Sequence, residues 1–146
     1  MVERHLAQRA RAQFGMRAQA LAAAGDCPRS LAVADFFLDE NEPGLAAKRI
    51  FLHPEGFPGE DYDTLLPMAE TLAEDHPGAA WVLYRAILLN ILEEARYGAY
   101  GHAARHLRKT RALAPRAQRQ DDQLALEAQL AQDHKRKTAF WKKVNG

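Results

Sequence analysis

Cys27 is the only cysteine in this 146-residue chain. One thiol closes no internal disulfide and makes no Cys-x-x-Cys clip, which excludes a zinc finger and fits a reducing compartment. Aromatics are also scarce, at 8%. The β-branched residues amount to four valines, three isoleucines and four threonines. A hydrophobic share of 47% built mainly from alanine and leucine therefore favours helix over sheet. No uninterrupted apolar run reaches the roughly 18 residues a membrane span needs. The first 25 residues lack the apolar centre of a secretory signal, and although arginine-rich and almost free of acid they hold no serine, unlike a transit peptide. They read as a structural helix, and the expected address is the cytoplasm.

Motifs that announce a reaction are missing too. The chain has no glycine-rich phosphate cradle, no Gly-x-Ser-x-Gly elbow and no Cys–His pair in a supporting context. Glu93 with Glu94 and Asp121 with Asp122 are neighbours in sequence, so on a helix they point apart; they read as helix-terminus charges, not as a general acid–base couple. The expectation is a non-catalytic protein without a cofactor.

Charge and periodicity are what the chain does have. The net charge of +1 hides a division into three: residues 1–25 carry +3, residues 26–95 carry −10 and residues 96–146 carry +8. Such polarity suits pairing within the fold, between copies, or with an acidic partner. Apolar residues recur at helical spacing almost throughout, and no stretch alternates with period two. The pattern predicts helices over about 2–24 (Leu6, Ala10, Phe14, Leu21), 29–39 and 45–52. A Pro- and Gly-rich loop, "HPEGFPGED", follows. Asp61 or Asp63 can cap the next helix, which runs to about Glu74 and either starts near Thr64 or kinks at Pro67. "AAWVLYRAILLNILEEA" is apolar nearly all round, which marks a central helix. In the helix that follows, Tyr100, Ala103, Ala104, Leu107 and Ala114 share one face, while His102, Arg105, His106 and Lys109 are expected to face outward. A last helix from Asp121 or Asp122 uses Leu124, Leu126, Leu130 and Ala131 and runs into a basic-aromatic tail. The expected fold is all-α, a bundle or short tetratricopeptide-like solenoid of six to seven helices. It forms one domain over 1–146: an N-terminal helix (1–25), helical hairpins (29–115), then a C-terminal helix with its tail (119–146).

Gly98, Tyr100, Ala103, Leu107 and Pro115 resemble the second half of a tetratricopeptide repeat, and Trp81, Tyr84 and Leu88 echo the first half with a longer spacer. Over Ser30 to Trp141 the blocks "FFLDENEPGLAAKRIF", "LLPMAETLAEDHPGAAWVLYRAIL", "YGHAARHL" and "DHKRKTAFW" resemble the C-terminal region of a family of uncharacterised bacterial proteins. Some relatives of that family are linked to SWIM-type zinc fingers. Lys135 stands where the family usually has glycine, and Gln123 where it often has histidine. The resemblance implies a helical fold and brings no established activity.

Two surfaces stand out as candidate sites. His102 and His106 have the i, i+4 spacing that can offer two imidazoles to one ion, but no third ligand is evident, and no metal is expected. The cations Arg105, Lys109, Arg136 and Lys137, with others of the last third and the aromatics Phe140 and Trp141, could contact phosphates. They could equally pair with the acidic middle of the chain, with Phe140 and Trp141 anchoring the last helix. The expected role is a protein-interaction module that binds a partner or itself through His102, Arg105, His106, Lys109, Arg136 and Lys137. A nucleic-acid-binding accessory domain using the basic third is the alternative.

Overall fold

The computed structural model describes residues 16–146, so most of the expected first helix lies outside the described residues; residues 16–26 are helical and form α1. Seven more helices follow: α2 (Ser30–Asp39), α3 (Pro43–Leu52), α4 (Tyr62–Leu72), α5 (Pro77–Glu93), α6 (Tyr100–Arg116), α7 (Gln120–Asp133) and α8 (Thr138–Asn145). No strand occurs among the described residues. The all-α expectation is met.

α5 is the hub. Prolines at N1 start both α3 and α5, where a missing N–H costs nothing and the fixed φ suits the first turn. Trp81, Leu83, Tyr84, Ile87, Leu88, Ile91 and Leu92 of α5 are all buried, because α3, α4 and α6 pack around it. Gly59, in a short 3₁₀ turn ahead of α4, lets the chain press directly on α5: a Cβ there would sit 2.0 Å from the Ala86 carbonyl oxygen. Arg49 holds the α1–α2 turn by donating to the carbonyls of Gly25 and Cys27 and, at 3.0 Å, to the Ser30 hydroxyl.

Three helices stop without glycine. Asn41, Ala95 and Gln118 each adopt positive φ (56°, 50° and 56°), and the next N–H reaches back to Phe37, Ile91 and Ala114 respectively. These are left-handed C-caps of the Schellman type. Asn41 tolerates that geometry; at Ala95 it costs backbone strain, and that turn swings Arg96 back over α5.

Several local expectations are corrected. Asp61 occupies the N-cap of α4, but its side chain caps nothing. α4 starts at Tyr62 and not near Thr64, so Pro67 lies past its first turn, inside the helix. The basic-aromatic tail does not continue the preceding helix: the chain turns at residues 134–137 and forms α8, which folds back on α6. Phe140 is fully buried there, and the Trp141 indole donates to the His134 carbonyl at 2.9 Å. Leu124 is 68% exposed and Ala131 is exposed. Leu126 and Leu130 are buried as expected, and Gln123 takes the inward place expected of Leu124. The acid pairs divide: Asp121 and Asp122 lie in the first turn of α7, where the dipole favours them, whereas Glu93 and Glu94 sit at the C-terminal end of α5, where it does not.

Candidate functional site

A groove of about 390 Å³ opens between α4, α5 and α6. Ile87 and Ile91 of α5 form its floor. Tyr62, Asp63, Leu66 and Pro67 form the α4 wall, while Ala99, His102 and His106 form the α6 wall, and Arg96 closes one end. The Arg96 guanidinium lies over the Tyr62 ring, 5.3 Å from its centroid, and stands 3.6 Å from the Glu94 carboxylate. From Ala99 to His106 the groove runs about two helical turns, roughly 10 Å.

Of the sequence-predicted residues, the structure brings His102 and His106 into this groove. His102 is exposed at the rim and accepts a hydrogen bond at 3.1 Å on Nδ1 from Arg105. Because arginine only donates, that Nδ1 carries no proton, and the ring's own N–H is Nε2–H. His106 does not face outward: only 8% of it is exposed. Its ring lies 5.7 Å from that of Tyr84. The correction has a geometric cause. His106 lies on the side of α6 that packs on α5, where its ring meets Tyr84, so a residue that helical spacing leaves at the edge of the apolar face is covered by the neighbouring helix.

Arg105 and Lys109 are exposed beside this wall and form no ion pair among the described residues. Arg136 and Lys137 do not join the site. They lie in the α7–α8 turn, Arg136 exposed and Lys137 half-buried. Lys135, also in that turn, has no positive φ, so its backbone does not call for glycine. The groove residues that sequence reasoning missed are Tyr62, Asp63, Leu66 and Arg96. The only local signal was Pro67: lacking an N–H, it leaves the Asp63 carbonyl without its helical partner, and both residues stand on the groove wall.

The basic third meets the acidic middle only in part. Arg96 approaches Glu94, and α1's Arg17 pairs with Glu40 and Glu42. Arg111 pairs with Glu127 and Arg119 with Asp122, both inside the last third. Arg108 and Arg116 donate to the Lys143 and Glu74 carbonyls. No cluster of three or more potential metal ligands occurs among the described residues, and no described helix is long and apolar enough to cross a membrane.

Burial, then the charges of His102 and Arg105, pull the His106 imidazole down from 6.5 to about 4. Between those values the unfolded chain binds a proton that the folded chain refuses, so stability falls as pH drops through the window and levels off below it. Urea unfolding at pH 7 and pH 4.5 should differ by about 2 kcal/mol on account of this residue. His106→Gln should remove that share of the pH dependence. A variant with the wild-type slope would place the titration elsewhere, for instance at His134, which burial and then Lys137 shift in the same direction.

No curated protein and no solved structure matches the chain. A family model described as "Family of unknown function (DUF6880)" matches residues 4–143, nearly the whole length, and the chain belongs to that family.

Proposed function

We propose that this chain is a non-catalytic protein-interaction module of the bacterial cytoplasm, whose α5–α6 hairpin works as tetratricopeptide-like hairpins do, by offering a groove to a segment of a partner. The observation that carries the reading is the α4–α5–α6 groove: an apolar floor with the Asp63 carboxylate on one wall and the two imidazoles of α6 on the other. A peptide unit carries one N–H and one C=O. The Asp63 carboxylate can take the first and the imidazoles of α6 can give to the second. Concave apolar sites with a few convergent polar groups are the usual form of a binding site, and the volume suits one or two side chains.

Selection of random displayed peptides on the full chain tests this. Enriched peptides should compete with one another and lose binding to Leu66→Trp, which plugs the groove from its own wall, provided the variant's circular dichroism matches wild type. A generic DNA duplex titrated at low salt should show no saturable binding. Duplex binding that weakens steeply as salt rises, with no peptide enriched, would move the function to the basic third and overturn the groove reading.

A further inference from the structure

The polar groups of the groove are sorted by wall, and the sorting bears on what it selects. His106 is more than nine-tenths buried. No group among the described residues hydrogen-bonds its ring nitrogens, and they are not sealed in the core; the ring lines the groove. Its nitrogens keep access to solvent at the groove, so an incoming main-chain group would take the place of water there. Next to it, His102 has its Nδ1 occupied by Arg105, which leaves Nε2–H as a donor with a guanidinium behind it. Arg105 and Lys109 add positive charge that no described carboxylate neutralises. The opposite wall carries the Asp63 carboxylate, which repels an anion and so leaves it the α6 side.

We propose that the groove selects a partner segment in which an apolar residue stands beside an aspartate or glutamate: the apolar side chain on Ile87 and Ile91, the carboxylate against His102 and Arg105, and a main-chain group on His106. This rests on the protein-interaction reading above and names the chemistry of the partner. The mode is that of acidic-motif capture by a cationic surface, here with an apolar anchor beside it.

The test is a titration of the isotope-labelled full chain, followed by two-dimensional NMR, with two capped heptapeptides carrying adjacent leucine–aspartate or leucine–asparagine among alanines. The aspartate peptide should bind about tenfold tighter, the scale of one charge-assisted hydrogen bond, and shift resonances of His102, His106 and Ile91. In the variants His102→Ala and Arg105→Gln the two peptides should bind within about twofold of each other, because the aspartate peptide loses its charge-assisted contact. Equal affinities in wild type would overturn the carboxylate inference while leaving the groove reading intact. No binding of either peptide, or shifts confined to residues outside the groove, would overturn both.

Discussion

Replacing Trp81 by alanine should lower the free energy of unfolding by about 3 to 5 kcal/mol, the range for a large aromatic removed from a packed core. Trp81 is 4% exposed at the start of α5, and three losses coincide there. Its ring volume is vacated. Its indole N–H, which donates to the Gln123 side-chain oxygen at 2.8 Å, is gone, so α7 loses a buried tie to α5 and Gln123 is left with an orphaned oxygen in addition to an amide nitrogen that already lacks a partner. Arg119, whose guanidinium stacks 5.5 Å from the Trp81 centroid and 5.2 Å from that of Phe51, loses one of its two faces. Trp81→Phe should fall between wild type and alanine, because most of the volume returns while the hydrogen bond does not. Urea unfolding monitored by far-ultraviolet circular dichroism checks both. A loss below about 1 kcal/mol for the alanine variant would mean that α7 is not anchored as described.

Among the described glycines, Gly59 should be the one whose replacement by alanine costs most, at about 2 to 3 kcal/mol or more. The new Cβ would fall 2.0 Å from the Ala86 carbonyl oxygen and 2.7 Å from the Asn90 Cβ, and neither is the loose end of a flexible chain. The φ at Gly59 is one any residue adopts, so the constraint is close approach and not backbone freedom. Gly44 provides the control. It lies in the first turn of α3, and a methyl added there would meet nothing within 4 Å, so Gly44→Ala should be neutral or stabilising by up to about 1 kcal/mol. Thermal unfolding of the two variants separates the cases, and equal melting temperatures would refute the tight seat of the loop on α5.

Gly59 shows where reading a sequence stops. The "HPEGFPGED" stretch announces a loop through its prolines and glycines, yet nothing in those letters says that one glycine touches a helix some thirty residues downstream. Trp81 shows the opposite. A run of seventeen residues that is apolar nearly all round has to be surrounded by other helices, because no arrangement with one wet face would cover it, and α5 is central for that reason.

His106 and Gln123 mark the boundary between the two. Helical periodicity put His106 on the rim of an apolar face, and whether a rim residue is wet or buried depends on how many neighbours flank the helix. α4 and α5 decided that: the His106 ring lies against Tyr84 and lines the groove those two helices form with α6. Gln123 follows two aspartates in sequence and is buried, with its side-chain oxygen accepting from the Trp81 indole. The groove is harder still, since Asp63, Ile91, Arg96 and His106 come from three helices and the turn between two of them, whose mutual placement no local pattern encodes.

What the chain determines by itself is its helical character, the extent of most helices, the central position of α5 and the segregation of charge. These follow from turn-by-turn spacing and composition, which act over a few residues. The groove, the burial of His106 and the seat of Gly59 were decided only by tertiary packing, because each depends on close contact between side chains or backbone far apart in sequence, and such contact exists only once the helices have chosen their neighbours.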